Sequence, residues 1–165
     1  MGWKPDENAG GLDVLCVRNF EMSDRPLQIV VDTNIIVSAF RSQKGASFAL
    51  LKQLGNPRWQ MNISTALILE YESVLKRQMV EQGIAVSVAD DVLNVITAAS
   101  RERGIFFNWR PMLADPGDDF LLELAVASGA DFIVTYNLRH FIGIEYFGVT
   151  AIKPMDFLRL LEKMP

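Results

Sequence analysis

Ile29-Val30-Val31-Asp32-Thr33-Asn34 is a β-branched run that stops on a carboxylate. A strand covered on both faces needs no polar alternation, so this run reads as a buried strand of a parallel sheet. In open α/β sheets, chemistry gathers beyond the carboxyl ends of the strands, where Asp32 and Asn34 would emerge. An unpaired acid there is costly, and a divalent cation is a common way to neutralise it. Asp and Asn are also good helix N-caps. Alone, the stretch leaves both readings open.

From Leu27 onward, apolar runs of strand length alternate with helical periodicity. Strands are expected at Gln28 to Val31, Trp59 to Ile63, Ile105 to Phe107, Phe132 to Thr135 and Val149 to Ile152. Helices are expected at Thr33 to Phe40, Gly45 to Leu54, Ser64 (as cap) to Met79, Ser87 to Arg101 and Asp118 to Ser128, with a last one opened by Pro154. In the fourth of these, Val88, Val92, Val95, Ile96 and Ala99 form the expected apolar face. Asn108 to Gly117 and Tyr136 to Phe147 read as loops. The fold class is α/β, a three-layer α/β/α sandwich around a mostly parallel, Rossmann-like sheet. Residues 27–165 make this domain. Residues 1–26, rich in Gly, Asp, Asn and Pro, read as an N-terminal extension in which Leu12 to Val17 forms a short strand or arm.

The 165 residues suffice for a core without covalent staples. A single cysteine, Cys16, excludes an intramolecular disulfide framework and a cysteine-based zinc site, and fits a reducing cytoplasm. No stretch approaches the roughly 20 apolar residues of a membrane helix, and the first residues lack the pattern of a signal peptide. The net charge of −4 argues against a binding module that holds nucleic acid by a broad basic surface. It does not argue against an enzyme whose acidic pocket is filled by metal.

Three further positions join Asp32. On the helix capped by Ser64, Glu70 falls on or beside the stripe of Leu67, Tyr71, Val74 and Leu75, whereas Glu72 lies about 200° away. Asp118 stands three, four and seven residues before Leu121, Leu122 and Ala125, which places it on an inward face. Asp119 has a more marginal face and is explained by the helix dipole. Asp115, before Pro116, is either a turn residue or an outer metal ligand. Asn137 follows the strand ending at Thr135 and offers a neutral carbonyl oxygen. Asp32, Glu70 and Asp118 with Asn34 and Asn137 are hard oxygen ligands without Cys or His. They point to Mg²⁺ or Mn²⁺.

These residues, in this order, resemble a PIN domain. The matching segments are Val31-Asp32-Thr33-Asn34, Ser64 with Leu69-Glu70-Tyr71, Asp115-Pro116-Gly117-Asp118-Asp119 and Gly129 to Thr135, closed by Val149 to Leu158. The likeness runs from about Leu27 to Leu161 and is nearest to VapC-like toxins of type II toxin–antitoxin pairs. It implies a sheet of order 3-2-1-4-5 and a metal-dependent endoribonuclease hydrolysing single-stranded RNA. Asp32, Glu70 and Asp118 would be the core ligands, with Asn137 where many relatives carry Asp, and Thr33, Asn34 and Thr135 orienting the site. A cognate antitoxin and a homodimer are the implied protein partners. Arg41, Lys44, Arg139 and His140 are candidate RNA contacts, each read individually as a solvated surface charge as well.

Two rivals stand beside this reading. A haloacid-dehalogenase-like phosphohydrolase also places Asp after a first strand, but needs a second acid two residues on, where this chain has Asn34. A PIN scaffold that binds RNA or a partner without cutting gains from Asn137 and the acidic charge. It loses from the retention of three acids.

Overall fold

The computed structural model describes residues 25–106 and 112–164. The expected arm at Leu12 to Val17 and residues 108–111 of the expected loop lie outside them. Five strands form the sheet: β1 (Leu27–Val31), β2 (Trp59–Ile63), β3 (Arg101–Glu102), β4 (Phe132–Val134) and β5 (Thr150–Ile152). Their order is β3-β2-β1-β4-β5 and every neighbouring pair is parallel. Helices α1 (Thr33–Arg41), α2 (Ala46–Leu51), α3 (Thr65–Glu81), α4 (Ser87–Ala99), α5 (Asp119–Ser128) and α6 (Pro154–Lys163) complete an α/β sandwich. None is long and apolar enough to cross a membrane.

β1 is the centre of this arrangement, as its composition requires. Ile29, Val30 and Val31 are wholly buried, each contributing on the order of 2 kcal/mol through removal of apolar surface from water. The chain runs outward from β1 through β2 to β3, then returns to β4 on the other side of β1. The boundary between β1 and β4 is therefore the topological switch point, where a crevice opens beyond the strand ends. Register sets what faces that crevice. Val31 pairs with Val134, and the Asp32 N–H continues the ladder to the Val134 carbonyl at 2.9 Å. At the opposite end of the sheet, Asp131 accepts from the Gln28 N–H at 2.8 Å and forms an ion pair with Arg25 at 2.7 Å.

Helix ends follow their local chemistry. Ser64 Oγ accepts from the Leu67 N–H at the start of α3. Gly129 adopts φ 62°, and the N–H groups of Gly129 and Ala130 return to the carbonyls of Val126 and Ala125. Phe157 of α6 packs edge-on against Trp59 and Phe132, with ring centroids 6.1 and 5.9 Å away.

Three expectations need correction. The third strand is Arg101–Glu102, with Ile105 and Phe106 of the expected strand outside the sheet and Phe107 outside the described residues, and α4 stops at Ala99. Both β3 residues are exposed, so no apolar run advertises the strand. It is held by ladder pairing to Asn62 and Ile63 and by Arg103, whose Nε donates to Asn62 Oδ1 at 3.0 Å. The buried face of α4 is Ala89, Leu93 and Ile96, while Val88 and Val95 face outward. Of the expected face, Ile96 is buried and Val92 packs against the core, so only Val88 and Val95 were placed on the wrong side. Finally, α5 begins at Asp119, after a 3₁₀ turn over Pro116–Asp118, and the span read as a loop after β4 holds two more 3₁₀ turns, Leu138–Phe141 and Ile144–Phe147.

Candidate metal centre and its cleft

Asp32 leaves β1 as the N-cap of α1 and is 6% exposed. Its carboxylate accepts from Thr135 Oγ1 at 2.6 Å, from Asn34 Nδ2 at 2.7 Å and from the Asn34 N–H at 3.3 Å. The capping role and the site role thus coexist in one side chain. Burial pushes the Asp32 carboxyl above the ordinary range, opposed by the hydrogen bonds from Thr135 and Asn34 and reinforced by the charge of Asp118.

Glu70 arrives from α3. Its neighbour Tyr71 is fully buried and donates its hydroxyl proton to the Val31 carbonyl, fastening the helix to the end of β1. Burial keeps the Tyr71 phenol protonated well above pH 10, so it remains a donor. Glu70 is consequently held beside Asp32 at the edge of the buried stripe, half-buried. Its carboxyl is raised too, first by burial, with Asp32 and Asp118 adding repulsion. Thr33 Oγ1 is buried and makes no hydrogen bond of ordinary geometry, yet stands near enough to favour the charged form of Glu70.

Asp118 comes from the 3₁₀ turn before α5, near enough for its charge to raise both carboxyls. Its Oδ2 lies 2.7 Å from His140 Nδ1, and Asp115 Oδ2 lies 4.0 Å from the same nitrogen. Asp115, Asp118 and His140 each present a ligand atom within 4.8 Å of the others, a donor set able to coordinate a divalent cation. The acids therefore form two overlapping groups: an inner one of Asp32 and Glu70, and an outer one of Asp115, Asp118 and His140. Asp118 belongs to both, since its charge reaches Asp32 and Glu70.

The tandem Asp118-Asp119 is partitioned differently from the helical-face argument. Asp119 is the buried one, at 1% exposure, and accepts from the N–H groups of Met112 at 3.1 Å and Leu113 at 2.8 Å. It fastens the chain segment before Asp115, while the half-buried Asp118 faces the site. The extra 3₁₀ turn causes the difference, because it removes Asp118 from the helical phase of Leu121, Leu122 and Ala125.

Asp32, Thr33, Asn34, Glu70 and Asn137 line one cleft of about 440 Å³, together with Arg41 and Arg77. Asn137 is exposed and donates its N–H to Thr135 Oγ1 at 3.0 Å. Of the candidate RNA contacts, Arg41 is in the cleft. Lys44 and Arg139 are exposed outside its lining, and His140 is held at Asp118. Arg77 was missed by sequence reasoning, although its spacing of seven from Glu70 puts both on one face of α3.

Residues 28–139 match the family model for the PIN domain. The chain belongs to the PIN domain family. That match covers β1 through the turn after β4, and hence every acid of the site. No curated protein matches the chain. Within this PIN domain, Asp32 and Glu70 line one cleft, and Asp118, grouped with Asp115 and His140, is near enough for its charge to act on both.

Proposed function

We propose that this PIN domain is a metal-dependent ribonuclease that hydrolyses phosphodiester bonds in single-stranded RNA, and that it acts as the toxin of a toxin–antitoxin pair. The observation that carries the reading is the convergence of Asp32, Glu70 and Asp118 with no lysine or arginine paired to any of them among the described residues. Two carboxyls raised by burial and mutual repulsion are a poor arrangement in isolation and a good one around a cation.

The residues fit Mg²⁺ or Mn²⁺. The donors are carboxylate oxygens, with Asn137 at the cleft and His140 at the outer group, and no thiol stands among the described residues of either group. Asp32, Glu70 and Asp118 would hold the cation, with Asp115 and His140 completing an outer position. Bound there, it supplies Lewis acidity: it acidifies a water and offsets charge on the phosphoryl group. Thr135 and Asn34 hold Asp32 in a fixed orientation, Tyr71 sets the depth of Glu70, and Asn137 flanks the opening. The toxin role rests on the motif likeness to VapC-like proteins.

Labelled single-stranded RNA incubated with the protein and Mg²⁺ or Mn²⁺ tests the proposal. Cutting that stops with EDTA and in Asp32→Asn supports it. Intact RNA with folded, metal-supplied protein on a broad panel of sequences removes general ribonuclease activity and leaves the rival reading of a binding scaffold.

A further inference from the structure

The cleft is lined by charges of both signs: Asp32 and Glu70, and also Arg41 and Arg77, with Val37 and Val74 in its wall. Helical spacing sets the two signs apart along the helices. Arg41 follows Val37 by four residues on α1, and Arg77 follows Val74 by three and Glu70 by seven on α3. Seven residues of helix rise about 10 Å. That separation is too great for Arg77 to neutralise Glu70 directly, and neither arginine forms a hydrogen bond or ion pair among the described residues. Other arginines do find partners: Arg25 at Asp131, Arg58 at the Leu161 carbonyl and Arg159 at Asp156.

Two guanidinium groups without a partner among the described residues, in a cleft that also holds Asp32 and Glu70, match an anion with spaced charges. A polynucleotide has that form. One phosphate reaches the acidic part through its cation, another lies against the arginines, and the intervening sugar and base face the valines. We propose that Arg41 and Arg77 clamp a phosphate neighbouring the scissile one, so that this site takes a single-stranded polynucleotide and not an isolated phosphodiester. The proposal rests on the nuclease reading of the cleft. Guanidinium groups suit the role because they grip phosphate oxygens in a planar fork.

Binding of a fluorescein-labelled single-stranded RNA to the full chain, followed by anisotropy in EDTA over a series of salt concentrations, tests the clamp without requiring catalysis. Each arginine that meets a phosphate contributes about 0.7 to the slope of log K against log salt. Arg41→Ala and Arg77→Ala should each lower the slope by about that amount, and the double variant should bind about tenfold more weakly at low salt. Arg77→Lys should retain the slope. Arg159→Ala, which removes equal charge outside the cleft, should change neither quantity. An unchanged slope in the double variant, an equal loss in Arg159→Ala, or no RNA binding by the unaltered chain at low salt overturns the clamp. Cleavage by the unaltered chain with an unchanged slope leaves the nuclease standing without it. A lowered slope with no cleavage under any metal retains the phosphate contact and removes the nuclease.

Discussion

The Thr135 hydroxyl donates to Asp32 Oδ2 at 2.6 Å, joining the carboxyl ends of β4 and β1 through their side chains. Register makes the pair inevitable: once Val31 stands opposite Val134, the next residues on both strands meet. Because the bond favours the charged form of a buried carboxyl, it counters part of the desolvation that raises Asp32. Thr135→Val keeps the shape and removes the donor. It should lower stability at neutral pH by about 1.5–3 kcal/mol, the range for hydrogen bonds to charged groups. Thr135→Ser should restore most of this. Chemical denaturation of the three proteins measures it, and equal midpoints would remove the bond from the account.

The raised carboxyls give stability a definite pH dependence in the absence of metal. For Asp32 and Glu70 the folded state holds its protons to higher pH than the unfolded chain does. Their contribution is therefore greatest below the ordinary carboxylate range and declines as pH rises through the folded values. Asp32→Asn removes one titrating group, so in EDTA the variant should gain stability relative to the parent between about pH 4 and pH 7. Thermal melts across that range decide it. Parallel curves would show that burial does not disfavour the Asp32 charge.

Much of this architecture is legible in the chain because its signals are local. Ile29 to Val31 read as a covered strand, Ser64 announces α3, and Gly129 ends α5. Glu70 was placed correctly because a helix of constant period carries it beside Tyr71. The failures share a different cause. β3 has two exposed residues and is defined by its partner, Asn62-Ile63, which lies some forty positions away. Asp118 and Asp119 exchanged burial because a single 3₁₀ turn shifts phase. The pairing of His140 with Asp118 depends on where the turn after β4 lands, and nothing within either segment encodes it. The arginine pole needed α1 and α3 side by side.

Asp119 has a structural task that its neighbour lacks. It satisfies two backbone N–H groups, those of Met112 and Leu113, from a buried position. Asp119→Ala leaves both without that acceptor and should destabilise the fold by about 1–3 kcal/mol. Asp118→Ala, at a half-buried position without such bonds, should cost less. A reversed order in urea denaturation would contradict the assignment.

His140 Nδ1 lies 2.7 Å from Asp118 Oδ2, a contact from which it could orient the carboxylate or share a cation with it. In either case His140→Ala should weaken Mn²⁺ binding, by about tenfold if the histidine acts as a supporting partner. Tighter binding in the variant would instead mark His140 as a competitor for the Asp118 carboxylate. Competition against a fluorescent chelator distinguishes these outcomes.

If carboxyls from the end of β1, from α3 and from the turn before α5 form one cation site, each must contribute to metal affinity. Calorimetric titration of Mn²⁺ into the unaltered protein, Asp32→Asn, Glu70→Gln and Asp118→Asn addresses it directly. The unaltered chain should bind Mn²⁺, with a proton release that grows as the pH is lowered, because burial raises the Asp32 and Glu70 carboxyls. A loss of at least about tenfold in affinity is expected for each substitution, since each removes a charged ligand. Folded protein that takes up no Mn²⁺, or three variants that bind it as the parent does, would contradict the account.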